Sequence, residues 1–199
     1  MARPREFDKD EALQKAIDVF WRQGYEATSM HDLVGAMGIN RQSLYDTFGD
    51  KHALYLSALE SYRLQREKGL LALLEAPGSV KRKLRKVCDK AIEESVTDET
   101  RRGCFMNNAF VDMVTRDQQT EEQAVRHVTI VEKAWEKAFA RGQESGEITK
   151  KHSASALARY FYNALNGLRI TAKTNTDENA LKDIVKVTLS MFNEKDGEN

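Results

Sequence analysis

Arg41, Gln42, Ser43, Tyr45 and Thr47 crowd into one short stretch, and Lys51 follows close behind. These side chains suit nucleic acid. A guanidinium reads the O6/N7 edge of guanine with two parallel hydrogen bonds, and an amide reads adenine in the same way. Hydroxyls and an ammonium suit phosphate oxygens. Just upstream, Thr28, Ser29 and His31 add two more hydroxyls and an imidazole. Arg3 and Arg5 precede them in an arm that could reach a minor groove or a phosphate. Catalysis would need a clustered nucleophile and base. His127, His152 and Cys104 fall on separate expected elements without motif spacing, so an enzyme in the back half has no constellation to rest on. Four His and two Cys show no zinc-site spacing, and no cofactor is implied.

Helices must position these groups. Apolar residues Ala12, Leu13, Ala16, Ile17 and Phe20 recur at helical spacing from Asp8 to about Gly24. Ser29, with Asp32 three residues on, makes a capping box for a short helix that Gly38 stops. Asn40 caps another, whose inner pair is Leu44 and Phe48. With that pair inward, Gln42, Ser43, Tyr45 and Asp46 point outward, with Arg41 and Thr47 at the margins. Helix, short helix, glycine turn and short helix form a helix-turn-helix. A long helix runs from Asp50 to about Glu75, where Pro77-Gly78 breaks it. Five more are expected: Ser79 to Val96, Gly103 to Val114, a capping box at Thr120 opening a helix to about Gly142, Ser153 to about Lys173, and Asp177 to Phe192. The residues from Glu194 to Asn199 are expected to fray. The fold class is therefore all-α with about nine helices. A helix-turn-helix domain occupies residues 1–54, and a helical bundle occupies residues 55–199.

Composition bounds the rest. The chain has 199 residues, 41% hydrophobic, with 2 Pro and 11 Gly. Such a balance favours long helices over a turn-rich β fold. Thirty-one Lys+Arg balance thirty-one Asp+Glu, which excludes a histone-like protein, a polybasic tail or an acidic disordered activator. Residues 1–51 carry seven basic and nine acidic side chains, so any DNA footprint must be local. No apolar run is long enough to span a bilayer, and the N-terminus lacks a signal peptide's apolar region. Two cysteines are too few for a disulfide framework, so a cytoplasmic location is expected.

The stretch Gly24-Tyr25-Glu26-Ala27-Thr28-Ser29-Met30, then Gly38-Ile39-Asn40, then Ser43-Leu44-Tyr45-Asp46-Thr47-Phe48-Gly49-Asp50-Lys51 resembles the signature of TetR-family transcriptional repressors. The likeness is dense over about residues 8–60 and architectural beyond. Asn40 stands where the family usually has serine, and Ser43 where it often has glycine. The resemblance implies a homodimer on a palindromic double-stranded DNA operator, released when a small-molecule or thiol-reactive effector binds the C-terminal domain. An activator or architectural DNA-binding protein without an effector is the alternative reading.

The back half offers a candidate effector site and a candidate interface. Cys104, Phe105, Asn108 and Met113 lie on one expected helix, and Trp135, Phe139, Phe161 and Tyr162 could line the same cavity, giving apolar walls with polar fixers. Cys104 follows Arg101 and Arg102 at a helix start, a setting that favours a thiolate. It resembles an Arg-Gly-Cys element in a subgroup of the family, some members of which sense oxidants or electrophiles. A packed, inert cysteine is the competing reading. The dimer interface is expected from the last two helices, through Leu157, Phe161, Ala164, Leu165 and Leu168 on one and Ile184 and Thr188 on the other.

Overall fold

The computed structural model describes residues 7–193. Arg3, Arg5 and the stretch from Glu194 to Asn199 lie outside the described residues. Nine helices and no strands occur among the described residues: α1 (Lys9–Gln23), α2 (Met30–Met37), α3 (Arg41–Phe48), α4 (Lys51–Glu75), α5 (Val80–Thr97), α6 (Phe105–Met113), α7 (Gln118–Glu144), α8 (Ala154–Thr171) and α9 (Glu178–Ser190).

The boundaries follow local capping chemistry. Asp8, Ser29, Asn40, Ser79, Ser153 and Asp177 each accept a backbone N–H of the first turn. They thereby satisfy donors that have no partner within the helix. Gly38 closes α2 in the left-handed conformation, with φ 69° and ψ 25°. A β-carbon would be strained there. One cap differs from expectation. α7 starts at Gln118, not at Thr120, because Asp117 accepts the Thr120 N–H (2.8 Å) and hydroxyl (2.6 Å). Thr120 is thereby the buried third residue of the first turn rather than its cap.

The chain divides into two compact units. The first takes in the chain through Gln65 together with Phe105–Ala124. The second takes in Arg66–Cys104 and the chain from Val125. Sequence reasoning places a division after residue 54. By packing, the first unit keeps α4 through residue 65 and recruits α6.

In the first unit α1 packs on α2, and α2 on α3. Ala16, Phe20, Leu33, Leu44, Leu54 and Tyr55 form its buried interior. Phe105 enters among aromatic rings, edge-on to Tyr62 (5.7 Å between centroids) and Tyr55 (6.1 Å). Tyr55 is in turn 5.2 Å from Phe20. At eight residues α3 is too short to hold its shape unaided. Burial of Leu44 and Phe48, worth about 1.5–3 kcal/mol each, and the Asn40 cap fix it in place.

In the second unit α5 packs on α8 and α9. Trp135, Phe139, Phe161 and Phe192 stack and edge against one another at 4.6 to 6.4 Å. The last carbonyls of α4 are tied off from α5 and α7: Lys83 Nζ and Arg141 Nη2 donate to the Leu74 carbonyl at 3.0 and 2.9 Å. Carbonyls at a helix end otherwise lack partners. At the start of α5, Glu147 accepts from the Ser79 hydroxyl and from the Val80 and Lys81 N–H groups at 2.9 and 3.0 Å.

Candidate nucleic-acid interface

Because Leu44 and Phe48 are buried, α3 presents Arg41, Gln42, Tyr45 and Asp46 outward, with Ser43 and Thr47 half-buried at the margins. The outward groups are pre-paired one helical turn apart. Arg41 Nη2 donates to the Tyr45 hydroxyl at 3.3 Å, and the guanidinium lies 5.7 Å from that ring's centre. Gln42 Nε2 donates to Asp46 Oδ1 at 2.7 Å, which turns the amide oxygen away from the carboxylate. Tyr45 keeps 40% of its surface open. A helix face holding a guanidinium, an amide, a phenol and a carboxylate offers both donors and acceptors to base edges in a major groove.

Three groups expected to meet DNA also hold hydrogen bonds within the fold. Thr28 is buried (1% exposed) and donates its hydroxyl to the Gly24 carbonyl at 2.6 Å. Ser29 is exposed, but its N–H and its hydroxyl both go to Asp32 Oδ2, at 2.9 and 2.6 Å. Both donors belong to the capping box of α2. These two bonds hold the Asp32 carboxyl below the usual carboxylate range. Lys51 spends two of its three ammonium protons on the Tyr25 and Thr28 carbonyls, both at 3.0 Å, and sits 4.3 Å from the centre of the Tyr25 ring. His31 stands exposed on the first turn of α2, as expected.

Two supporting residues escape sequence reasoning. Tyr25 supplies both the carbonyl and the ring that hold Lys51. Asp117, besides capping α7, pairs with His52 Nε2 at 2.9 Å and so ties the start of α4 to the start of α7 within the first unit. Burial pushes the Asp117 carboxyl up. The Thr120 hydroxyl, the Thr120 N–H and His52 outweigh that and hold it below the usual range. In both cases the partner lies tens of residues away, and no local pattern announces it.

The expected effector residues are divided between the two units. Trp135, Phe139 and Phe161 are fully buried against one another in the core of the second unit. Phe105 and Met113 are buried in the first unit, and Asn108 is half-buried there. Cys104 and Tyr162 remain, both half-buried in the second unit. Arg102 does not simply flank Cys104. Its N–H and guanidinium both meet Asp98 Oδ2, at 2.8 and 3.4 Å. Cys88 is buried, and desolvation pushes its thiol up to about 12.

The residues expected at the interface differ in exposure. Leu157, Phe161, Leu165 and Leu168 of α8 and Thr188 of α9 are buried within their own unit, since α8 and α9 both pack on α5. Ala164 is half-buried and Ile184 is exposed. The apolar side chains left open here are Tyr160 and Ile170 on α8, Ile184 and Val187 on α9, and Met191 just past the end of α9. Among the described residues no helix is long and apolar enough to cross a membrane, and no cluster of His, Cys, Asp or Glu could hold a metal ion.

Comparison with known proteins matches this geometry. The model of the tetR family of bacterial regulatory proteins matches residues 12–58, and that of the tetracyclin repressor-like C-terminal domain matches residues 80–188. An uncharacterised HTH-type transcriptional regulator of Bacillus subtilis, YezE, is 36% identical, covering 96% of this chain and all of that protein. The HTH-type transcriptional repressor ComR of Escherichia coli is 27% identical over 96% of this chain and 92% of its own. Among solved structures, a cysteine mutant of the TetR-family regulator CifR in complex with a 26-base-pair double-stranded operator superposes with a TM-score of 0.84. It is 28% identical, covering 96% of this chain and all of that one.

Proposed function

This chain belongs to the TetR family of bacterial regulatory proteins, and on that premise we propose that it is a homodimeric transcriptional repressor that reads a palindromic operator through α3. The carrying observation is the outer face of α3, where Arg41, Gln42, Tyr45 and Asp46 stand open on a rigidly capped helix. In this reading Arg41 and Gln42 face base edges, while Ser43, Tyr45, Thr47 and His31 face phosphates or bases. Lys51 braces the turn between α1 and α2, which positions the reading helix. Residues 1–54 act as the DNA-binding region and residues 55–199 as the effector and dimer region. Repression is steric: a dimer seated on the operator excludes polymerase. The protein carries out no chemistry on a substrate and works in the cytoplasm.

The open faces of α8 and α9 support dimerisation. Tyr160, Gly167, Ile170, Ile184, Val187 and Met191 leave an apolar stripe that a second copy would cover as a four-helix bundle. Two-fold symmetry then places two α3 helices about 34 Å apart, one turn of DNA. An effector that binds the spread arrangement better than the DNA-bound one weakens operator binding by the ratio of its two affinities. Cys104 is the thiol through which an electrophile would act, since burial keeps the Cys88 thiol neutral.

Operator binding by wild type and Arg41→Ala tests the reading face. Arg41→Ala is expected to relax selectivity at one base pair of each half-site, by about 1–3 kcal/mol. Full retention of affinity and selectivity would remove α3 from the groove. For the thiol route, Cys104→Ser is expected to abolish release by N-ethylmaleimide, and an undiminished response would sink it.

A further inference from the structure

Asp46 is the residue of α3 that stands most squarely opposite the helix's buried side. It lies two residues from Leu44 and two from Phe48. At about 100° per residue it therefore sits about 160° round the axis from both. It is exposed, and its Oδ1 accepts a proton of Gln42 Nε2 at 2.7 Å. That partner is a neutral amide, so the pair keeps the whole negative charge of the carboxylate. The cation of the same face belongs to another row, in which Arg41 donates to the Tyr45 hydroxyl at 3.3 Å. That row lies about 100° round the helix from Gln42 and Asp46. The outer face of α3 thus has a basic flank and an acidic centre.

A helix seated in a major groove turns the centre of its outer face to the base edges. A carboxylate there meets bases, and phosphates repel it. It has about four lone pairs and no proton, and Gln42 takes one lone pair. Only a base that donates can pair with it. Cytosine shows N4–H2 alone in the groove. Guanine shows N7 and O6 and thymine shows O4, which are acceptors without a donor. Against either, the carboxylate would be desolvated opposite another acceptor with no proton between them. Adenine shows N6–H2 but sets N7 beside it, and Asp46 has nothing to donate to N7.

We propose that Asp46 is a specificity-determining residue, which selects cytosine in each half-site by accepting from its amino group and rejects guanine and thymine. The same carboxylate holds the Gln42 amide, which keeps one N–H and its oxygen for a nearby adenine. Four residues advance a helix by about 6 Å, less than two base-pair steps of about 3.4 Å. The cytosine and adenine positions therefore lie within about two base pairs of each other. An unneutralised anion on the reading face also weakens binding to unrelated DNA. This role rests on the reading of α3 as the helix that enters the groove.

The test compares the full chain as wild type, Asp46→Asn, Asp46→Ala and Arg41→Ala. Each is used to select from a random duplex library, and then titrated by anisotropy at one fixed salt concentration. The titrated duplexes are the selected operator, the operator with guanine in place of the selected cytosine, and an unrelated sequence. Asp46→Asn keeps an oxygen for Gln42 but removes the charge and adds donors. It should lower the preference for cytosine over guanine by at least about tenfold at one position per half-site and tighten binding to the unrelated duplex. Asp46→Ala should lose the same preference and also loosen the adenine position within about two base pairs. Both should melt close to wild type, since the side chain is exposed, and either one alone decides the point if the other folds poorly. Unchanged base preferences in the Asp46 variants would overturn the proposal. So would tighter binding to all duplexes alike with no loss of preference, which would make the carboxylate a general repellent. A wild type that selects an operator altered by Arg41→Ala but by neither Asp46 variant overturns this role alone. A wild type that selects no sequence overturns the reading of α3 as well.

Discussion

Replacing Lys51 with methionine separates two roles that a lysine at this position could play. The aliphatic stem is kept and the ammonium removed. Lys51 Nζ donates to the Tyr25 and Thr28 carbonyls at 3.0 Å each and lies 4.3 Å from the Tyr25 ring centre. Hydrogen bonds to a charged donor contribute about 1.5–3 kcal/mol each, and an exposed cation–π contact about 0.5–1 kcal/mol. The contacts share one half-exposed ammonium and do not add fully, so a loss of about 2–4 kcal/mol is expected. At roughly 2–4 °C per kcal/mol for a chain of this size, the melting temperature should fall by about 4–16 °C. Salt dependence supplies the second readout. One lost phosphate contact changes the slope of log K against log salt by about 0.9. With two of three protons already committed, Lys51→Met should weaken operator binding with a smaller change in slope. Thermal melting and fluorescence anisotropy from 50 to 200 mM salt (roughly the span over which such slopes show) measure both. A variant that melts within about 1 °C of wild type yet loses the full slope of one phosphate would refute the bracing role.

Other consequences can be checked alongside. Glu147 is pushed up by burial, but the Ser79 hydroxyl and the Lys81 and Val80 N–H groups outweigh this and hold its carboxyl low. A depressed folded-state pKa stabilises above the unfolded value of about 4.3 and loses that contribution as pH falls through the folded value. Glu147→Gln should therefore melt lower than wild type at pH 7, by about 0.5–2 kcal/mol of cap energy, and the gap should close below about pH 4. Val187 is 66% exposed in the middle of the open α9 stripe. It should not tolerate a charge: Val187→Glu should sediment as a monomer and lose operator affinity while keeping its helical circular dichroism. Gly142→Ala would drive a methyl group against the fully buried Ile148, whose Cβ would stand only 3.2 Å away. The cost should be about 1–3 kcal/mol, measurable by denaturant unfolding.

Much of the fold can be read from local chemistry. Ser29 with Asp32, Asn40 and Gly38 bracket α2 and α3, because capping bonds span three or four residues. The outward face of α3 is legible for the same reason: burying Leu44 and Phe48 leaves only one side for Arg41, Gln42, Tyr45 and Asp46. Non-local partners are where sequence reasoning stops. Lys51 meets carbonyls 23 and 26 residues away, and nothing in its neighbourhood distinguishes that from an exposed lysine. The apolar stripe Leu157, Phe161, Leu165, Leu168 is plain in the sequence. Periodicity does not say what covers it, and in the second unit Phe161 meets the rings of Trp135 and Phe139 on α7. Phe105 shows the same limit, since its place among Tyr55, Tyr62 and Trp21 depends on which unit recruits α6. Thr28 is a different case. Its hydroxyl is claimed locally by the Gly24 carbonyl, a bond four residues long that competes with any external partner.

Selection of bound duplexes from a random DNA library tests the central claim most directly. The account predicts enrichment of an inverted repeat whose half-sites are centred about 34 Å apart, one turn of DNA, with selectivity at one position per half-site lost in Arg41→Ala. Enrichment of no sequence, or of a single unrepeated site unaffected by Arg41→Ala, would contradict it.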